Sequence, residues 1–557
     1  MFVVATAGHV DHGKSTLVQR LTGTWPDRLA EEQRRGLTIE LGFAWTEIEG
    51  RRIAFVDVPG HERFVGNMLA GVGPVPAVMF VVAADEGWMP QSAEHLDALD
   101  ALGVSHALLV VTKADLADPA KAIAQAREHF AGTSLADPPV AIAPDIRSVL
   151  VRLVDGLPEP DRTADVRLWT DRVFTVRGAG TVVTGTLAAG TLRVGDELEH
   201  RGQRVVVRGL QSLGEDRTEV AAVARVAVNL RGAKDIERGD TLLTPGAWLA
   251  TTELDVAMRT KSNLHRDLVL HLGSAALPVH VRPLGTDFAR LRLPSALPLR
   301  VGDTGLLRDP GEHRIAAGVE VLDVRPPELG RRGAAKAREQ ALRQGVRPDL
   351  ARVADLRAMG LSERGERVGD WVADPVWWQG KRIAASKHVE AWSAEHDLAA
   401  GMPVETLRQT LNLPAAELVA PLLAGTELRV EDGRISKPGT TLPPRVATAV
   451  QKIERRLAAE PFRAPEAADL AGLGLGPREL AAAVRVGRLT RVAEGVVLGP
   501  DAFDRAAEVL RELPQPFTAS QAKQALGTTR RVAIPLLEAL DARGVTKPCG
   551  NGLRELA

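Results

Sequence analysis

The sequence has almost no cysteine, almost no net charge and no long apolar run. Its single cysteine, Cys549, excludes an intramolecular disulfide framework and a cysteine-built zinc site. With no pairing residue at hand it reads as an incidental thiol. The 70 basic residues are balanced by 71 acidic ones, a net charge of −1, so no global field draws the chain to a polyanion. A nucleic-acid partner would have to be met by local patches. No stretch reaches the ~18 apolar residues of a membrane span. Met1 runs almost directly into an apolar strand, with no charged leader before it. The expectation is a soluble, cytoplasmic protein that binds no membrane and acts as a monomer.

What is present begins at the N-terminus. The 557 residues suggest three to five domains at ~150 residues each. The apolar run Phe2-Val3-Val4-Ala5 leads into Gly8-His9-Val10-Asp11-His12-Gly13-Lys14-Ser15, and a helical pattern follows. This is the G-x-x-x-x-G-K-S spacing of a phosphate-binding loop between a strand and a helix N-terminus. Gly8 and Gly13 allow the tight turn that aims backbone N–H groups at an anion. Lys14 would reach the β- and γ-phosphates, and the Ser15 hydroxyl would hold Mg²⁺.

Anionic and polar motifs follow in order. Thr38, in the polar segment ending Arg35-Gly36-Leu37-Thr38-Ile39, can offer Mg²⁺ a hydroxyl when a γ-phosphate is present. The strand Arg52–Val56 delivers Asp57, then Val58-Pro59-Gly60-His61. There a carboxylate can hold Mg²⁺ through water, Gly60 can present its N–H to the γ-phosphate, and His61 can orient the attacking water. Residues 78–82 and 107–111 are uninterrupted apolar runs of the kind buried in a parallel sheet. The second ends in Thr112-Lys113-Ala114-Asp115, whose Asp115 carboxylate can accept both N–H donors of a guanine edge, favouring GTP over ATP.

Taken together, GHVDHGKS, RGLTI, DVPGH, AADEGWMPQS and TKAD resemble the GTPase domain of translation factors of the elongation factor Tu class. The resemblance makes Gly8, Asp11, His12, Gly13, Lys14, Ser15, Thr16, Gly60, Lys113 and Asp115 the GTP-binding residues. It makes Ser15, Thr38 and Asp57 the Mg²⁺ residues and His61 the catalytic histidine, activated by the ribosome. Thr112 stands where the class has asparagine, which weakens one expected hydrogen bond. The usual guanine loop is not recognisable at 140–144, in a region, 132–156, that looks shortened.

From about 164 to 322 the pattern turns to short β-rich runs separated by glycine turns, as in small barrels. GAGTVVTGTL and LHRDLVLHLGSAAL resemble the second and third domains of the same factors, and within the class the match is to the bacterial selenocysteine-specific elongation factors. A selenol ionises well below a serine hydroxyl, so a pocket selecting it needs guanidinium groups. Asp171, Arg172 and Arg231 match the positions that the resemblance implies. After Pro326-Pro327 the chain becomes helical and rich in Ala, Leu, Glu and Arg, in blocks that suit helix–turn–helix modules with a β-wing. By resemblance this is a tail of four winged helices that grips an mRNA hairpin, with Arg530 and Arg531 at the start of the last recognition helix and Lys547 and Arg554 beside the wing. Trp377 and Trp378 read as core aromatics.

The expected fold is therefore multidomain: an α/β phosphate-loop GTPase domain (1–163), two β-barrel domains (164–247 and 248–325) and an α+β winged-helix array (326–557). The implied ligands are GTP and Mg²⁺, and the implied partners selenocysteinyl-tRNA, an mRNA hairpin and the ribosome. Two alternatives stay open: delivery of another special or initiator tRNA, and a nucleotide-gated RNA-binding scaffold without turnover.

Overall fold

The computed structural model describes residues 1–557 apart from 27–39, 62–64, 74, 177–179, 261–263, 313, 331 and 438–441. Thr38 thus lies outside the described residues. The chain packs as two compact units, one of residues 1–364 with 370–372 and one of 365–369 with 373–557.

The first unit opens with β1 (Phe2–Ala7), α1 (Lys14–Thr22), β2 (Gly42–Ile48), β3 (Arg51–Asp57), α2 (Val65–Val72), β4 (Ala77–Ala83), α3 (Pro90–Leu102), β5 (Ala107–Thr112), α4 (Pro119–Phe130), β6 (Val140–Ile142) and α5 (Ile146–Asp155). The sheet order is β2-β3-β1-β4-β5-β6. Only β2 runs antiparallel to its neighbour, and the other pairings are parallel. Every residue of β4 is buried, because helices cover both faces of the sheet and leave no polar side to the strand. The carboxyl ends of β1, β3 and β5 deliver the phosphate loop, Asp57 and Thr112 to one edge, as open parallel sheets do.

Next come β7 (Arg167–Trp169), β8 (Arg172–Val176), β9 (Gly180–Leu187), β10 (Thr191–Arg193), β11 (Glu197–His200), β12 (Gln203–Ser212), β13 (Glu215–Arg217), β14 (Glu219–Ala221), β15 (Ala224–Arg231) and β16 (Thr241–Leu243). They form an antiparallel sheet, β7-β16-β11-β12-β15-β9-β8 with β13 on β12, beside the pair β10-β14. β15 alternates strictly, with Ala224, Val226, Val228 and Leu230 turned into the core. A closed six-stranded barrel follows, β17 (Ala250–Thr260), β20 (Phe288–Pro298), β19 (Ala275–Pro283), β18 (Asp267–Leu272), β21 (Thr304–Asp309) and β22 (Arg314–Asp323) in order around the ring.

The two β domains are riveted together. Arg167 gives two parallel hydrogen bonds of 2.6 Å to Asp303. Trp248, its indole N–H held by the Val166 carbonyl at 3.0 Å, carries the guanidinium groups of Arg167 and Arg300 at 4.5 and 3.7 Å from its ring centre. Asp165 takes Arg300 at 2.8 Å and Arg357 at 2.6 Å. Helix α6 (Ala334–Gln344) belongs to the same unit, since Arg338 reaches the fully buried Asp255 at 2.6 Å and also pairs with Asp323. The division in packing thus falls later than 325/326.

In the second unit one order of elements recurs. A first helix (Pro375–Glu395, Pro444–Ala459 or Ala502–Arg511) is followed by further helices and then a β-hairpin. The hairpins turn at Asp432-Gly433 and Asn551-Gly552, both residues at positive φ, the conformation a two-residue turn between twisted strands demands. Asp374 caps the first long helix through the Val376 and Trp377 amides, and Thr518 with Gln521 forms a capping box on the helix 519–525. Trp378 is fully buried, as expected of a core aromatic, whereas Trp377 is only half-buried, with the Lys381 ammonium 5.0 Å over its ring.

Candidate functional site

The phosphate loop leaves β1 at Gly8 and enters α1 at Lys14. Asp11 (φ 63°) and Gly13 (φ 81°) take left-handed conformations, which turns successive N–H groups to one side. Lys14 is buried, and its Nζ donates to the carbonyls of Gly8 and His9 at 3.0 and 2.7 Å. Its ammonium therefore stands over the loop. A Cβ on Gly60 would come within 2.5 Å of that Nζ and 2.7 Å of the Val10 nitrogen, so only glycine lets this backbone approach the loop. His61 is half-buried beside it.

Ser15 Oγ donates to Asp57 Oδ2 at 2.5 Å, and Thr6 Oγ1 donates to Oδ1 at 2.7 Å. Asp57 is fully buried. A hydroxyl and a carboxylate oxygen side by side at a helix N-terminus are hard oxygen donors of the kind Mg²⁺ prefers, so the residues present fit that ion.

At the other end of the loop the Thr112 hydroxyl donates to the His12 carbonyl at 2.7 Å. The tie between base motif and phosphate loop is therefore made by the threonine hydroxyl. Lys113 (φ 54°) pairs with Glu86 at 2.7 Å and Asp85 at 3.3 Å, and the hydrogen bond to Glu86 raises its pKa. His12 is fully buried, and desolvation lowers its pKa to about 4. Asp115 is exposed at the rim, as are Asp11 and Thr16. The 132–156 region carries β6 and α5, with β6 paired to β5.

A second site lies where β2 meets the first β domain. A cavity of about 320 Å³ is lined by Leu41, Phe43, Trp45, Arg172, Phe174 and Arg225 among others. Arg225 sits 3.9 Å over the Phe43 ring, and Arg172 5.3 Å over the same ring. Arg225 pairs in a fork with Asp171, whose Oδ1 also accepts the Thr184 hydroxyl at 2.8 Å. Arg172 reaches the Leu41 carbonyl and, at 3.1 Å, Glu40. Two guanidinium groups therefore converge on one aromatic ring, Arg225 paired with the buried Asp171 and Arg172 with the more exposed Glu40.

In the last module Arg530 is exposed at the helix start. Arg531 instead donates to the Pro465 carbonyl at 2.8 Å and pairs with Glu466 at 3.5 Å. Arg554 is held by Asp541 at 2.8 Å, and Lys547 lies 3.0 Å from Glu555.

A family model for the elongation factor Tu GTP binding domain matches residues 1–236, and one for the winged helix of elongation factor SelB matches residues 508–552. The selenocysteine-specific elongation factor of Desulfomicrobium baculatum is 38% identical over 58% of this chain, an alignment spanning 55% of that protein. The protein of the same name from Escherichia coli (strain K12) is 32% identical over 99% of this chain and 98% of its own length. The chain belongs to the selenocysteine-specific elongation factors. A crystal structure of a bacterial selenocysteine-specific elongation factor, EF-Sec, superposes over 100% of this chain and 99% of its own with a TM-score of 0.72 at 25% identity.

This elongation factor is thus a translational GTPase, with the multidomain fold expected: GTPase domain, β-barrel and winged helices. The structure gathers Lys14, Ser15, Asp57, Gly60 and His61 around the phosphate loop, with Thr112 tied to its far end. Of the three residues named for the selenocysteine pocket it brings Asp171 and Arg172 together. Arg231 stands apart, six residues along β15 from Arg225, about 20 Å at strand rise. Arg225, which the sequence reading did not name, lines the same cavity as Arg172. The signal was available only as register: Arg172 pairs with Thr184 and Thr184 with Ala227, which sets Arg225 beside Asp171.

Proposed function

We propose that the chain, with GTP bound, carries selenocysteinyl-tRNA to the ribosome in the cytoplasm and is tethered by its winged-helix tail to an mRNA hairpin. The observation that carries the reading is the convergence of Arg172 and Arg225 on the Phe43 cavity. A selenolate is anionic at neutral pH where a seryl hydroxyl is neutral, and directed guanidinium donors discriminate between them. Asp171 holds Arg225 in place, and Arg172, paired with the more exposed Glu40, is the less buried of the two charges.

In the nucleotide site, Lys14 is drawn from the loop carbonyls to the β- and γ-phosphates. Ser15 and Asp57 would hold Mg²⁺, together with Thr38, and the ion supplies charge neutralisation on the phosphates. His61 orients the attacking water, and Lys113 with Asp115 reads guanine. Hydrolysis releases the segment containing Thr38 and with it the tRNA. The tail raises the local concentration of the complex at one ribosome, with Arg530 as the exposed cation toward the hairpin and Lys547 at the wing. Arg531 and Arg554 order the module.

The test is protection of the aminoacyl ester from spontaneous hydrolysis, comparing selenocysteinyl- and seryl-tRNA with GTP and with GDP. Protection of the selenocysteinyl form alone, with GTP alone, is expected. Arg225→Ala should lose most of that preference and Arg231→Ala should keep it. Equal protection of both tRNAs by the wild type would sink the selenocysteine reading.

A further inference from the structure

Gln91 and His95 stand outside every role given above, yet both reach the phosphate loop from α3. His95 Nδ1 accepts the Gly8 N–H at 3.0 Å, and Gln91 Oε1 accepts the Val10 N–H at 3.2 Å. His95 is 2% exposed, so its bond is shielded from water. Nδ1 must keep its lone pair, and the proton therefore sits on Nε2. Burial, with smaller contributions from Lys14 and His9, lowers the pKa of the ring to about 3, which preserves a neutral acceptor at neutral pH.

Gly8 is where the strand becomes the loop. Its φ is +124°, and a Cβ there would collide with the Val81 carbonyl, so the backbone has one path out of β1. The acceptors on α3 hold the N–H groups of Gly8 and Val10 outward, and the inward turn at Asp11 and Gly13 starts from that fixed point. Helix α3 is itself anchored at its far end. Arg259 Nη2 donates to the Ala101 carbonyl at 3.1 Å, and Gly318 of β22 packs so closely on Ala101 that no Cβ would fit.

We propose that Gln91 and His95 are positioning residues that set the entry of the phosphate loop for GTP, acting through the Gly8 and Val10 amides without touching the nucleotide. The inference rests on the reading of residues 8–15 as the phosphate site.

The test is release of a fluorescent GTP analogue, mant-GTP, from the full chain by stopped flow. His95→Leu, which fills the space without an acceptor, should speed release about tenfold, the worth of one buried hydrogen bond. His95→Asn, whose amide oxygen lies near the place of Nδ1, should stay within about threefold of wild type. Gln91→Leu, at a half-buried position that tolerates the change, should speed release several-fold and keeps the test alive if His95→Leu does not fold. A wild-type chain that binds no mant-GTP would overturn both the nucleotide reading and the inference. Wild-type binding with unchanged release from Gln91→Leu and His95→Leu, or equal effects of leucine and asparagine at 95, would overturn the inference alone.

Discussion

Thr112 carries a task with one hydroxyl where related GTPases use an amide. Its bond to the His12 carbonyl joins the strand that delivers the base motif to the loop that holds the phosphates. Thr112→Val keeps the shape and removes the bond, leaving the buried His12 carbonyl without that donor. The expected cost is about 1–2 kcal/mol in nucleotide binding, roughly a tenfold rise in Kd for GTP and GDP alike, measured by titration of a fluorescent analogue. An unchanged Kd would mean that the bond contributes nothing. The arginine pocket shows where single residues stop being legible. Arg225 and Arg231 differ by an even number of positions on one strand, so they point to the same face. Composition and motif cannot say which end of the strand meets β2. Only the ladder β8-β9-β15 does, and register is a property of paired strands that a lone strand does not display.

Among elements, the signals that survived from sequence to structure were those with a local cause. Apolar runs without polar alternation, 78–82 and 107–111, became buried parallel strands. Contacts between elements were not legible, because an arginine looks the same in the sequence whether it meets water or a carboxylate many strands away. Arg167 and Asp303 are such a pair, with side chains only 17% and 13% exposed. Asp303→Asn strands a largely desolvated guanidinium, at a cost of about 3 kcal/mol, so the melting transition of the β domains should fall by about 5–10 °C. The pair Arg204–Glu197 is a fair control, since both side chains are more than half exposed and such pairs contribute under ~1 kcal/mol. Glu197→Gln should leave the transition where it is. Equal shifts in the two variants would show that the Arg167 fork is no stronger than surface charge.

At the scale of the whole molecule, the place where the chain divides decides what can be cut. A change from barrel to helix at Pro326-Pro327 is visible in the sequence and invites truncation there. The structure carries α6 back onto the barrel, where Arg338 helps to neutralise the buried Asp255 and Leu342 packs with Leu284 and Phe288. A chain ending at 325 should therefore melt lower than one ending at 372, by several degrees, since it leaves Asp255 with Arg290 alone. Identical melting of the two would place α6 outside the folded unit. Among the described residues no helix is long and apolar enough to cross a membrane.

The stacking of Arg167 and Arg300 on Trp248, with the Arg167–Asp303 fork, has a consequence for any long ligand laid across both β domains. Were the two domains free to swing, such a ligand would have to arrest their relative motion as it docked, and each contact on the second domain would be weakened by that ordering. The bonds of Arg167, Arg300 and Trp248 across the two domains resist that motion before any ligand arrives, so less ordering is left for the ligand to impose.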